Sequence, residues 1–240
     1  MTKIKICGIT NIEDAIVAAE AGADFLGFIF HPASPRYVSV DAVHAITEAL
    51  WTRFDIRAPR CVGVFVDVPT ADVRTAVAQA GLDLAQLHGS ESPEAIAALQ
   101  PCAFKAIRPR THDEAAMAYH TYVDAAMPRR PDRPQLLVDA YHPQAAGGTG
   151  TRADVTVARW LSERCRIMLA GGLTPENVAD AIARVQPWGV DVSSGVEASK
   201  GRKDHQKIRA FIQAVRPSTA AVRSPTAVAG AGTADHGVNL

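Results

Sequence analysis

Eight short apolar runs, each followed by a segment with helical signals, alternate along the first 216 residues, and this alternation restricts the fold more than any other feature. IKICGI is followed by TNIEDAIVAAEAG, in which Thr10 and Glu13 form a capping box, Ile12, Ile16 and Ala19 share a helical face, and Gly22 ends the helix. DFLGFIF (24–30) is a second buried strand, and the proline-rich HPASPRYV leads to a helix around 40–50. RCVGVFV (60–66), LAQLHG (84–89), FKAIRP (104–109), QLLVDAYHP (135–143), RIMLAGG (166–172) and GVDVSSG (189–195) continue the series. Helices are expected from Thr70 to Gly81, after Ser92 and Pro93, over 113–125, around 154–163, and from the Thr174, Pro175 and Asn177 turn. A last helix carries Ile208, Phe211, Ile212 and Val215 on one face. Eight strand–helix units joined by short connections predict a single (β/α)8 barrel of the TIM type, an α/β fold, rather than an open sheet. The barrel is expected to span residues 1–216. Residues 217–240, rich in Ala, Gly, Ser, Thr and Pro without periodicity, are expected to form a disordered tail.

Charge and cysteine content narrow the partners. Lysine plus arginine equals aspartate plus glutamate at 25 each, so no global charge favours nucleic acid or an anionic membrane. Cys7, Cys61, Cys102 and Cys165 lack CxxC spacing and follow no signal peptide, which argues against a disulfide framework or a zinc site and points to the cytoplasm. No apolar run approaches the roughly 20 residues of a membrane helix.

Strand parity locates the chemistry, because alternate residues of a barrel strand face the helices or the lumen. Ile4 and Ile6 take the helix side of the first strand and leave Lys5 and Cys7 inside. By the same alternation Gln86 and His88, Asp139, and Asp191 and Ser193 take the lumen of their strands. Cys7, His88, Asp139 and Ser193 fall near the C-terminal ends, the face on which barrel enzymes build their active sites, so they are expected to surround one pocket.

An anion site is expected after the last two strands. Gly171 and Gly172 precede the Thr174 turn, and Ser193, Ser194 and Gly195 follow strand eight. Glycines let backbone amides approach a phosphate, and these two loops are the usual phosphate site of the barrel. Each residue alone also has a plain reading: Cys7 as buried packing, Asp139 as a strand-end carboxylate paired with a lysine, Arg36 as a solvated charge, His88 as a hydrogen-bonded core residue, the glycines as tight turns. Gathered on one rim, they favour a site for a sugar phosphate.

KICGIT, GFIFHPASPRYV, VGVFV, LAQLHG, LLVDAY with its following GGTG, LAGGLTPENV and DVSSGVEASKGRKDHQKI resemble, in the same order from residue 3 to about 215, the phosphoribosylanthranilate isomerase family of tryptophan biosynthesis. Neither the stretch between Met127 and Pro134 nor the tail takes part in the resemblance. It implies a cofactor-free, metal-free Amadori rearrangement of N-(5-phosphoribosyl)anthranilate to 1-(2-carboxyphenylamino)-1-deoxyribulose 5-phosphate. Asp139 would be the general acid on the furanose ring oxygen, and Cys7 the base that removes the C2′ proton. Arg36 would hold the anthranilate carboxylate, and Gly172, Ser194 and Gly195 the phosphate. Gly171, His88, Asp191 and Ser193 complete the expected substrate-binding set.

The chemistry sets two conditions. A thiol base needs its pKa drawn from about 8.5 toward neutrality, for which Lys5 is the expected cation. An acidic aspartate must keep a protonated fraction through burial or a neighbouring carboxylate, for which Asp191 is the candidate. Two other functions remain open at this point: a Schiff-base aldolase using Lys105, and a non-catalytic phosphosugar-binding barrel. The partner is expected to be the small phosphosugar–anthranilate substrate, with a monomer as the expected assembly.

Overall fold

The computed structural model describes residues 1–124, 130–139 and 155–216. Strands β1 (Lys3–Cys7), β2 (Phe25–Ile29), β3 (Arg60–Phe65), β4 (Leu84–Leu87), β5 (Ala103–Ile107), β6 (Leu136–Asp139), β7 (Ile167–Ala170) and β8 (Gly189–Val192) run parallel and close in sequence order, with β8 pairing back onto β1. Between them lie α1 (Ile12–Ala21), α2 (Val40–Phe54), α3 (Thr70–Gln79), α4 (Pro93–Ala98), α5 (His112–Ala118), α6 (Val155–Ser162), α7 (Val178–Val185) and α8 (His205–Val215). The fold is the (β/α)8 barrel that the alternation predicts. The GGTG loop and the expected disordered tail at 217–240 lie outside the described residues.

Parity does what the sequence requires of it. Ile4, Ile6, Leu26, Leu87, Val138 and Val190 point outward into the main core beneath the helices. Phe25, Val62, Leu84, Phe104, Leu137 and Met168 fill the barrel interior. Each such side chain contributes about 1.5–3 kcal/mol on burial, so the strands are pinned from both faces. Over this apolar plug the interior turns polar, with Lys5, Gln86 and Asp191 all buried. Register fixes their proximity: Lys5 stands opposite Asp191, and Cys7 opposite Gly27.

Helix starts follow local chemistry. Ser39, Ser92, Thr111 and Asp204 each accept a backbone N–H of the first turn of α2, α4, α5 and α8, contacts generally worth about 0.5–2 kcal/mol. At α1 the expected capping box is displaced by one residue. Asn11, not Thr10, is the cap, accepting from the Asp14 N–H and donating back to the Asp14 carboxylate. Thr10 instead donates to the Gly201 carbonyl. The buried face shifts with it to Ala15 and Ala18, leaving Ile12 exposed. Gly22 ends the helix as expected, at φ 98°.

Three further departures bear on the site. The helix expected over 113–125 is α5 followed by a π-helical turn, Tyr119–Asp124. Helix α7 begins at Val178, because Thr174 belongs to a turn rather than to the helix cap. Strand β8 stops at Val192, and the chain then makes a 3-10 turn (Ser194–Val196) and a two-strand hairpin, β9 (Glu197–Ser199) with β10 (Arg202–Lys203). Charged residues dominate that hairpin, which hides it from any hydrophobic-period reading. No described helix is long and apolar enough to cross a membrane.

Candidate active site

A cavity of about 300 Å³ opens at the C-terminal ends of the strands, and every residue expected to form the site lines it: Cys7, Arg36, His88, Asp139, Gly171, Gly172, Asp191, Ser193, Ser194 and Gly195. Gln86 and Arg108 line it as well.

Cys7 ends β1 with 6% of its surface exposed. Space for its sulfur comes from Gly27, where a Cβ would lie 2.7 Å from Cys7 Sγ and 2.9 Å from Lys5 Nζ. Gly8, at φ 72°, turns the chain away, and a Cβ there would stand 2.7 Å from Arg36 Cδ. Beneath the thiol, Lys5 Nζ donates to Asp191 Oδ1 at 3.0 Å, both groups being enclosed. Burial draws the Lys5 pKa down, but Asp191 and Cys7 together carry it above its ordinary value. Burial also raises the Cys7 pKa, with Asp191 adding to the rise and Lys5 opposing it. The expectation of a thiol drawn toward neutrality by Lys5 is thereby corrected: the ammonium is present, but Asp191 shares it and desolvation outweighs it. Asp191 pairs with Lys5 and lines the same cavity as Asp139.

Asp139 ends β6, and its Oδ2 accepts from Arg108 Nε at 2.9 Å. The same guanidinium places Nη2 3.0 Å from His88 Nε2. Burial and Arg108 push the His88 pKa below its ordinary value against the pull of Asp139, and so favour the neutral imidazole. Gln86 lies behind it, with Nε2 2.8 Å from His88 Nδ1.

Arg36 is held from the far side. Its Nε and Nη2 donate to Glu197 Oε1 and Oε2 at 2.7 and 2.8 Å, a two-bond fork that fixes the guanidinium plane. Lys203 Nζ reaches the same carboxylate at 3.2 Å and the Ser193 carbonyl at 3.1 Å. These contacts, against the opposing effect of burial, hold the Glu197 carboxyl below its usual range.

Two loops close the other end of the cavity. Gly171 and Gly172 take φ values of 100° and 61°, which L side chains rarely adopt. Asn177 secures the turn by donating to the Gly172 carbonyl and accepting from the Thr174 N–H. At Gly195 a Cβ would fall 1.9 Å from the Leu173 oxygen, so the two loops can approach only because that position is glycine.

Lys105 does not belong to the site. It shares the outward parity of its strand, is 3% exposed, and its Nζ lies within hydrogen-bond distance of the Leu87, Gly89 and Ala106 carbonyls and of Glu91 Oε2, four acceptors for three N–H groups. An ammonium held by four acceptors is not a free amine nucleophile, so the aldolase reading loses its residue.

Arg108, Glu197 and Lys203 escape the sequence reading. Arg108 was within reach, since it continues the luminal parity of Phe104 and Ala106 in β5. Glu197 and Lys203 sit on the charged hairpin, inside the DVSSGVEASKGRKDHQKI motif but without a periodicity that would mark them as facing the site.

A small cavity open at the strand ends, with ionisable groups on one side and glycine turns on the other, places the protein among the barrel enzymes that act on small phosphorylated molecules. Residues 4–214 match the family model of N-(5'phosphoribosyl)anthranilate (PRA) isomerase. An N-(5'-phosphoribosyl)anthranilate isomerase of Geobacter sp. (strain M21) is 45% identical over 212 residues, covering 88% of this chain and 97% of the relative. Phosphoribosyl anthranilate isomerase from Thermotoga maritima superimposes with a TM-score of 0.74 at 36% identity, over 89% of this chain and 98% of its own. A crystal structure of the isomerase in complex with reduced 1-(o-carboxyphenylamino)-1-deoxyribulose 5-phosphate gives a TM-score of 0.74 at 34% identity, over 89% and 97% of the two chains. The chain therefore belongs to the N-(5'-phosphoribosyl)anthranilate isomerase family. It is an isomerase of tryptophan biosynthesis that turns an aldose into a ketose.

Proposed function

We propose that Asp139 is the general acid and Cys7 the general base of this isomerisation, acting on N-(5-phosphoribosyl)anthranilate bound across the cavity. Asp139 gives a proton to the furanose ring oxygen, the C1′–O bond breaks, and the nitrogen lone pair forms an iminium. Cys7 takes the C2′ proton, and the C–H electron pair moves to give an enolamine. Reprotonation at C1′ and loss of the C2′ hydroxyl proton leave the amino ketose, so no atom is gained or lost. The observation that carries this reading is that one cavity brings together Cys7 on β1 and Asp139 on β6, two groups distant in sequence.

The surrounding residues take supporting roles. Arg36, with two of its donors committed to Glu197, presents the remainder of its guanidinium to the anthranilate carboxylate. Gly171, Gly172, Ser194 and Gly195 bring backbone amides to the phosphate. His88, Asp191 and Ser193 border the ribose. Residues 1–216 form the catalytic unit, which acts as a monomer in the cytoplasm on this small-molecule substrate; sedimentation and cell fractionation test those two statements.

The decisive variant for the acid is Asp139→Asn, which keeps the shape of the side chain. Turnover should fall about 10²–10⁴-fold with the fold intact, the contribution typical of a placed acid. Wild-type turnover by this variant would remove Asp139 from the mechanism.

A further inference from the structure

Gln86, His88, Arg108 and Asp139 form one line of contacts along the cavity wall, and its donors and acceptors conflict as first read. Arg108 places one N–H on Asp139 Oδ2 and Nη2 3.0 Å from His88 Nε2. Gln86 places an amide nitrogen 2.8 Å from His88 Nδ1. A guanidinium and an amide nitrogen only donate, whereas a neutral imidazole has one lone pair and one N–H. Both contacts therefore cannot be accepted by His88, and an imidazolium would accept neither.

The two donors differ in what they can change. Arg108 has no acceptor atom to offer, and its Nε–H on Asp139 fixes where its Nη2 lies. Gln86 has an acceptor in the same group, and a half-turn of the amide exchanges its two ends. Gln86 is 1% exposed, and its Oε1 has no hydrogen-bond partner among the described residues. The exchange leaves the amide nitrogen in that unpartnered place, so the amide alone does not decide the question. The imidazole does: only the Nδ1–H form satisfies both of its contacts, since the Nε2–H form sets two N–H groups against each other.

We propose that Arg108 is a positioning residue that locks His88 as its Nδ1–H tautomer, with the Gln86 amide oxygen accepting that proton, and that restrains Asp139 through Oδ2. Among the described residues Oδ2 alone is engaged, which leaves Oδ1 for the substrate. The guanidinium also stabilises the carboxylate that remains once Asp139 has given up its proton. The catalytic consequence rests on Asp139 being the acid; the tautomer does not.

The test uses the full-length chain labelled with ¹⁵N and long-range proton–nitrogen correlation at neutral pH. His88 should show a protonated Nδ1 and a bare Nε2. Arg108→Ala should move the imidazole toward the Nε2–H form and lower kcat about tenfold, part of the about 10²–10⁴-fold a placed acid contributes, with KM changed less than about twofold. Gln86→Glu, whose carboxylate can only accept, should retain the Nδ1 proton. A wild-type spectrum dominated by Nε2–H, or loss of the Nδ1 proton in Gln86→Glu, overturns the tautomer. Unchanged kcat in Arg108→Ala overturns the positioning role. Full activity of Asp139→Asn beside the expected spectrum would instead remove the acid assignment and leave the tautomer standing.

Discussion

Cys7 and Gly27 face each other across the β1–β2 register, and the thiol occupies the volume that any larger residue at 27 would claim. Gly27→Ala should therefore leave the barrel folded, lose about 1–3 kcal/mol to overpacking, and displace the sulfur. Thermal unfolding and kcat measured on the same sample test this; an alanine variant with wild-type kcat would show that the sulfur's position is not restricted by that face.

A base whose pKa lies above its ordinary value predicts the sign of the pH dependence. Burial raises the Cys7 pKa above its ordinary value, so the proton-accepting form grows as pH rises through neutrality and beyond. In Asp139→Asn, where the acid no longer titrates, the logarithm of the residual kcat/KM should climb with pH from neutrality upward. A residual profile already flat at neutral pH would contradict the raised thiol.

Glu197 couples stability to the site. Its carboxyl sits below the ordinary range because Arg36 and Lys203 outweigh burial, so its folded-state contribution is present above the unfolded value near 4.5 and fades as pH falls through the lower folded value. Glu197→Gln should cost about 1–3 kcal/mol at neutral pH, by leaving the Arg36 fork half made. It should also raise KM by freeing Arg36. The stability difference from wild type should shrink in acid, below about pH 4.5. Denaturant melts at neutral and acid pH check the sign: a difference that grows in acid would place the stabilising charge elsewhere.

At the opposite end of the cavity, Gly195→Ala drives a Cβ into the Leu173 carbonyl, which is main chain and has little room to yield. Competitive inhibition by inorganic phosphate should weaken markedly in this variant, and KM should rise more than kcat falls. Unaltered inhibition would put the phosphate away from this loop.

The barrel was legible because burial on two faces writes itself into strand composition. Ile4, Ile6, Val138 and Val190 against Lys5, Asp139 and Asp191 betray which side of each strand is luminal. That alternation, with the glycines at 171, 172 and 195, brought Cys7, His88, Asp139, Asp191 and Ser193 to one rim, while Arg36, in a loop, came only from the family resemblance. Its electrostatics were less legible, because they depend on pairings across the barrel: Lys5 with Asp191, Arg108 with Asp139, and Arg36 with Glu197, 161 residues apart in sequence. The α1 cap slipped by one residue because Asn11 is a better cap than its neighbour Thr10, whose hydroxyl is used by Gly201.

The most direct test of the central claim is turnover of freshly prepared phosphoribosylanthranilate, followed by anthranilate fluorescence, with wild-type and Cys7→Ala protein side by side. Removing one buried sulfur should leave the circular dichroism spectrum unchanged and reduce kcat at least about 10²-fold. Comparable turnover by the two proteins would show that another group removes the C2′ proton, and that Cys7 at the end of KIKIC is packing alone.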